Sequence, residues 1–251
     1  MYKLILAIQQ GKSYLYYINR LLSGGGMKLL VTGGNGFIGQ EICKTAVRHG
    51  FEVISVSRRG YPDNKESWMS QVNWVSANIF NIDRWTGYLS GMDGVIHTIG
   101  ILRERPEHNI TYERLNGDSV IIAASAAITA HVPVFVMISA SDAPPLLKRY
   151  IRAKRDAESF LLEQKTRSVI MRPGLVYGQG RKGSKLIASL TRLGSQIPLI
   201  GTYYTKYSPV HVTVLAKAVI NSVMHEEIQG LIDIGQIEKL GMSIPIEEGL
   251  R

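Results

Sequence analysis

Apolar positions along the chain fall into two rhythms. Short, nearly continuous runs rich in valine and isoleucine lie at Lys28–Thr32, Glu52–Ser57, Val72–Ser76, Gly94–Thr98, Pro133–Ile138 and Arg167–Met171, the pattern of strands covered on both faces. Between them, amphipathic stretches predict helices over Phe37–His49, Arg84–Leu89, Ile110–Ala130 and Tyr150–Glu163. Strand and helix therefore alternate, which requires a parallel sheet with right-handed crossovers and helices on both faces. The expected class is α/β, a doubly wound parallel sheet with a small carboxy-terminal lobe. In such a sheet ligands bind beyond the carboxyl ends of the strands, where strand order reverses.

The pattern also sets boundaries. Residues 1–26 contain Lys3, Lys12 and Arg20 but no acidic residue, and end in Gly24-Gly25-Gly26 just before the first strand. They read as a leader outside the fold, either a mis-assigned start or a targeting segment. A dinucleotide-binding core is expected over 27–178 and a small substrate lobe over 179–251. The stretch Ser119–Ser141 has no Asp, Glu, Lys or Arg and is long enough to imitate a membrane span. Pro133 interrupts it and the run after the proline is β-branched and aromatic, so it reads as helix, turn and strand.

Composition changes this picture little. With 251 residues the chain suits one sizeable domain. Its formal charge of +9 suits an anionic ligand, but the basic residues are scattered without a block of about five or more, so no nucleic-acid partner is expected. Peripheral contact with an acidic membrane surface is compatible with the charge; a transmembrane span is not expected. The single cysteine, Cys43, lies in a predicted helix and reads as a core residue, and neither it nor the histidines have metal-ligand spacing. The expected location is the bacterial cytoplasm or, in a eukaryote, the mitochondrial matrix or inner-membrane face.

The chemistry begins where the first strand ends. Thr32-Gly33-Gly34-Asn35-Gly36-Phe37-Ile38-Gly39 runs directly into the first helix with the spacing G-x-x-G-x-x-G. Glycines at Gly33, Gly36 and Gly39 allow a sharp turn, close backbone approach to a pyrophosphate and tight packing of helix on strand. The helix amino terminus then offers N–H groups to the phosphates. About twenty residues on, an NAD-binding protein places an acid for the adenine ribose; here the strand ends Ser57-Arg58-Arg59. A guanidinium suits a 2′-phosphate, so NADP(H) is the expected cofactor, with NAD(H) the alternative.

These residues resemble the short-chain dehydrogenase/reductase superfamily in its extended and atypical branches, over nearly all of Met27 to Gly241. The likeness includes Val95-Ile96-His97-Thr98-Ile99-Gly100, Asn116 on the following helix, Met171-Arg172-Pro173-Gly174-Leu175-Val176-Tyr177-Gly178, and Pro209-Val210-His211-Val212. Gly-Gly-Asn-Gly-Phe-Ile-Gly, Val-Ser-Arg-Arg, Trp68 and Trp74 look closest to the complex I accessory NAD(P)H-binding subunit and the related protein of coenzyme Q biosynthesis. The resemblance implies a Rossmann fold. It also implies cofactor contacts from Asn35, Phe37 and Ile38 beside the three loop glycines, from Arg58, Asn78 and Ile79 around the adenosine, and from Thr98, Gly100, Asn116, Lys154 and Pro173 toward the nicotinamide. Asn78 stands where the family commonly has an acid.

The family's catalytic set is Ser or Thr, Tyr, and Lys four residues after Tyr. Tyr150 and Lys154 supply the pair, one helical turn apart on one face. Ser141 is the partner that the resemblance implies, with Ser139 behind it, although the short connection from Ser141 to Tyr150 carries Pro144-Pro145. Tyr61-Pro62-Asp63-Asn64-Lys65 repeats the spacing in a proline-bearing loop and reads as chance. His97 reads as a strand-end residue lining the cofactor. Tyr203, Tyr204 and Tyr207, interleaved with Lys206, read either as the lining of a pocket for a flat or apolar substrate, such as a quinone or isoprenoid intermediate, or as a tyrosine-rich surface loop. The leading expectation is an NADP(H)-dependent oxidoreductase or epimerase-like enzyme. The alternatives are a non-catalytic NADP(H)-binding module that stabilises a respiratory or quinone-biosynthesis assembly, and a redox-sensing regulator.

Overall fold

A computed structural model describes residues 26–63, 66–142, 147–179 and 208–243. The elements follow in the order β1 (Lys28–Thr32), α1 (Phe37–Arg48), β2 (Glu52–Ser57), β3 (Val72–Ser76), β4 (Gly94–His97), α2 (Ser119–Thr129), β5 (Val134–Ile138), α3 (Lys148–Leu162), β6 (Arg167–Met171), β7 (Val176–Tyr177), β8 (Val210–His211), α4 (Val212–Met224), β9 (Gly230–Ile232) and α5 (Ile234–Met242). Seven of the strands form one sheet in the order β3-β2-β1-β4-β5-β6-β9, and every pairing in it is parallel. Order reverses between β1 and β4, so the carboxyl ends of these two strands frame the crevice where a ligand is expected.

The apolar runs are continuous because each strand feeds two cores. Leu29 and Val31 of β1 pack with Ile42 of α1 and Val219 of α4 on one face. Leu30 points the other way, toward Val120 and Ala124 of α2 and Ala157 and Leu161 of α3. Cys43 is fully buried in the first of these cores, and burial pushes its thiol far above the usual range. The stretch that imitates a membrane span resolves into α2, a turn at His131 with φ 55° and β5. No helix among the described residues is long and apolar enough to cross a membrane.

Several expected elements differ in detail. The stretch expected as one helix over Arg84–Leu89 is two 3-10 turns, Ile82–Arg84 and Thr86–Leu89. Between them Trp85 leaves helical geometry, at φ −140°, to bury its ring and donate its indole N–H to the Ile79 carbonyl. The helix expected from Ile110 carries a π turn over Glu113–Asp118 before α2 begins. The fifth strand omits Pro133, and α3 starts at Lys148, so Tyr150 lies within its first turn instead of opening it. Strand β9 and the small parallel pair β7-β8 were not foreseen; two or three residues are too few to show a period. The leader up to residue 25, Pro144-Pro145, residues 180–207 and 244–251 of the lobe expected over 179–251, the former with its tyrosines, and Asn64-Lys65 lie outside the described residues.

Candidate active site

The loop between β1 and α1 is shaped by its glycines. Gly33 has φ +80°, and its N–H donates to the Val56 carbonyl at 2.7 Å, turning the chain off β1 beside β2. A Cβ on Gly39 would lie 2.4 Å from the Gly33 carbonyl oxygen, so α1 can approach the loop this closely only because that position is bare. Helix α1 begins at Phe37 with no side chain capping it and no acid in its first turn, which leaves the positive end of its dipole facing the crevice. This cradle fits a pyrophosphate.

The Asn35 side-chain amide donates to the carbonyls of Gly60 and Tyr61 at 3.0 and 3.3 Å. It thereby ties the phosphate loop to the turn that carries Arg58. That turn is closed by Gly60 N–H to Ser57 carbonyl and by the Ser76 hydroxyl on the Arg58 carbonyl. Arg58 is exposed and makes no ion pair among the described residues, whereas Arg59 faces Asp63 at 3.7 Å. Asn78 is exposed, its amide oxygen already accepting from Phe80 N–H at 3.2 Å. The side chain of Ile79 belongs to the core beneath Trp85, so only its backbone is left for the adenosine side.

Beyond β4 the chain is pinned from several directions. Thr98 donates its hydroxyl to the Thr32 carbonyl at 2.8 Å. Asn116, fully buried in the π turn, accepts from Ile101 N–H and donates to Ile101 carbonyl, at 3.0 and 3.2 Å. This amide fastens the loop after β4. A Cβ on Gly100 would strike Asn116 Oδ1 at 2.7 Å and lie 3.8 Å from Lys154 Nζ, which places this loop against the lysine.

His97 does not line the surface of the crevice: it is fully buried and bridges two elements. Ser119 donates its hydroxyl to the Leu115 carbonyl at 2.9 Å, so its oxygen accepts from His97 Nε2 at 3.2 Å. Nδ1 is then the acceptor for the Thr32 hydroxyl at 2.8 Å. Burial, with the charge of Lys154 second, pushes this imidazole down to about 3, so it stays neutral and serves to join β1 to α2.

Tyr150 and Lys154 share the buried face of α3. Lys154 Nζ lies 5.5 Å from the centre of the Tyr150 ring and donates to the Ile138 carbonyl at 2.9 Å. Burial pushes the Lys154 ammonium down to about 8; Glu158 pulls it upward and Arg155 adds to the fall. Tyr112 meets the Tyr150 ring edge-on at 5.8 Å, and Ala140, Ala153, Ile101, Leu147 and Ile151 complete a small apolar cluster around the phenol. At the rim, Arg149 joins Glu104 and Glu113 at 3.0 and 2.8 Å, bracing the first turn of α3 against the loop after β4.

Ser141 leaves β5 with its N–H on the Pro173 carbonyl at 2.9 Å and its own carbonyl on Arg155 Nη2 at 2.6 Å. Pro173 is thus a neighbour of Ser141. The buried Ser139 hydroxyl donates to Glu158. Glu158 was not foreseen. It is 2% exposed and takes Arg155 at 2.6 Å and the Nε of Arg172 at 3.1 Å, with a second, shorter contact from Arg172 Nη2. The sequence held one signal of it: position 158 falls on the face of α3 that also holds Tyr150, Lys154 and Leu161, where a carboxylate needs a partner.

Comparison with known proteins agrees with this geometry. The model of the "NAD dependent epimerase/dehydratase family" matches residues 29–235. The chain is 35% identical to an uncharacterized chloroplastic protein of Arabidopsis thaliana, over 84% of this chain and 76% of that one. It is 31% identical to MIOREX complex component 2 of Saccharomyces cerevisiae, over 61% of this chain and 74% of that one. A likeness at 24% identity to the mitochondrial NADH dehydrogenase [ubiquinone] 1 alpha subcomplex subunit 9 of Arabidopsis thaliana spans 79% of this chain and 50% of that one. Among solved structures, UDP-glucuronic acid 4-epimerase from Bacillus cereus in complex with NAD superposes with a TM-score of 0.61 at 18% identity, covering 83% of this chain and 77% of that one.

Proposed function

The chain belongs to the NAD dependent epimerase/dehydratase family, a short-chain dehydrogenase/reductase-like group with a Rossmann fold, and from that premise we propose that it is an NADP(H)-dependent oxidoreductase. Its substrate carries a carbonyl or hydroxyl group on a small or apolar frame. The observation that carries this reading is the Tyr150–Lys154 pair, with the lysine buried, fixed to the Ile138 carbonyl and 5.5 Å from the phenol ring.

The loop from Gly33 to Gly39 would hold the pyrophosphate, and Arg58 the 2′-phosphate. Bound there, the dinucleotide supplies or accepts the hydride. Tyr150 gives its phenolic proton to the substrate oxygen in reduction and takes it back in oxidation. A cation one helical turn away lowers the cost of the phenolate that remains. Burial lowers the Lys154 ammonium to about 8, which still leaves it charged at neutral pH and able to supply that cation. The apolar side chains around Tyr150 exclude water and favour a substrate without dense polar decoration.

The test is oxidation of NADPH by the full-length protein against a panel of quinones, apolar ketones and 3-oxoacyl compounds, with Tyr150→Phe in parallel. Turnover in the parent protein and its loss in the variant, at unchanged NADPH affinity, is the expected result. A second reading has its own support, since two relatives are named as a component or a subunit of larger complexes: a cofactor-loaded module that stabilises an assembly. It predicts no turnover with any of the panel and an unchanged cellular role for Tyr150→Phe.

A further inference from the structure

The end of β5 delivers Ser141, whose N–H still reaches the Pro173 carbonyl at 2.9 Å, and the carbonyls of Ala140 and Ser141 are both gripped by one side chain. Arg155 Nη1 donates to the Ala140 carbonyl at 3.0 Å and Nη2 to the Ser141 carbonyl at 2.6 Å. The guanidinium is fixed in turn, because Nη1 also donates to Glu158 Oε1 at 2.6 Å. Glu158 is then anchored by the Ser139 hydroxyl and by Arg172, the residue just after β6. One buried carboxylate and one planar fork thus join the exits of β5 and β6 to the helix that bears Tyr150 and Lys154.

We propose that Arg155, oriented by Glu158, is a positioning residue that sets Ser141 relative to Tyr150. This rests on the reading of Tyr150 as the proton donor. A fork is needed because two carbonyls in consecutive residues are gripped at once, which a guanidinium does in its plane and an ammonium cannot. The arrangement is more than a fold staple. Its three bonds converge on residues 139–141, just past the register of β5 with β6 from Val134 to Ile138, and add to the N–H bonds of Ser139 and Ser141 on the Met171 and Pro173 carbonyls.

The test is hydrogen exchange of the full-length protein, free of substrate, in Arg155→Lys and Arg155→Gln. Arg155→Lys retains a charge for Glu158 and should fold, with a melting temperature within about 6 °C of the parent. Peptides covering 139–142 should exchange about tenfold faster or more in both variants, the loss of one charge-assisted bond, while β5, β6 and the glycine loop keep their protection. With a substrate from the carbonyl panel, Arg155→Lys should lower kcat about tenfold, leave KM for NADPH unchanged and recover part of the activity lost in Arg155→Gln. Parent exchange in 139–142, or faster exchange spread evenly through β5 and β6, overturns the proposal. Because exchange is read without turnover, absence of any reaction in the parent protein removes the enzymatic reading and is told apart from failure of the clamp.

Discussion

Replacing Gly39 by alanine tests the nucleotide loop with a single methyl group. The new Cβ would sit 2.4 Å from the Gly33 carbonyl oxygen and 2.7 Å from Gly34 Cα. Both neighbours are backbone, so no rotamer relieves the overlap. To reach even 3.0 Å the loop and helix must part by about 0.6 Å, the difference between 3.0 and 2.4. Overpacking of this kind costs about 1–3 kcal/mol, offset by the roughly 1 kcal/mol that alanine gains over glycine inside a helix. A net loss of about 0–2 kcal/mol would lower Tm by no more than about 8 °C in a chain of this size. Binding should suffer more. Hydrogen bonds from backbone N–H to a phosphate near 2.9 Å are largely lost when stretched by this amount, and one to a charged group is worth about 1.5–3 kcal/mol. The dissociation constant for NADPH should therefore rise roughly tenfold to a hundredfold, read by nucleotide fluorescence on protein shown folded by circular dichroism. Gly87→Ala is the control, since a Cβ there meets nothing within 4 Å. Parent affinity and parent Tm in Gly39→Ala would refute the argument that this position is bare because the loop needs the space.

Three further outcomes are expected. Arg58→Ala should weaken NADPH by about tenfold, near 1.4 kcal/mol for an exposed phosphate contact, and leave NADH unchanged; equal loss for both would remove Arg58 as the selector. Lys154 is depressed from 10.5 to about 8, so the unfolded chain holds the extra proton between these values and this lysine makes stability rise with pH across that window. Below about 8 both states are protonated and the penalty of the buried charge is fully present; Lys154→Met should abolish the rise in denaturant titrations from pH 8 to 10.5. Glu158→Gln leaves two guanidiniums that are 28–29% exposed without their carboxylate. It should cost about 3 kcal/mol, at the low end for a broken buried pair, and lower Tm by roughly 6–12 °C.

Most of the sheet was legible because parallel strands buried on both faces write unbroken apolar runs, and six of them stand in the sequence within a residue of their place in the structure. What failed had local causes. Trp85 breaks the expected helix because its indole N–H must reach the Ile79 carbonyl, a contact with no signature in hydrophobic period. The π turn at Asn116 arises from a side chain that grips residue 101 from both sides, which no window of sequence displays. The site was half legible. Gly33 to Gly39 announce themselves by spacing between strand and helix, and Tyr150 and Lys154 by their place after the fifth strand, since Tyr61 and Lys65 repeat the same interval. The side-chain bonds of Asn35 to the Gly60 and Tyr61 carbonyls and of Asn116 to Ile101 are not legible, since they join loops distant in sequence. Glu158 and Arg172 lie too far apart in sequence for their pairing to be read at all, and only the closure of β5 against β6 brings them together.

The most direct measurement is a parallel titration of the full-length protein with NADPH and NADH, followed by nucleotide fluorescence. The glycine cradle and Arg58 predict tight, saturable binding of NADPH and clearly weaker binding of NADH. Binding of neither, on a protein shown to be folded, would contradict the dinucleotide site and everything built on it.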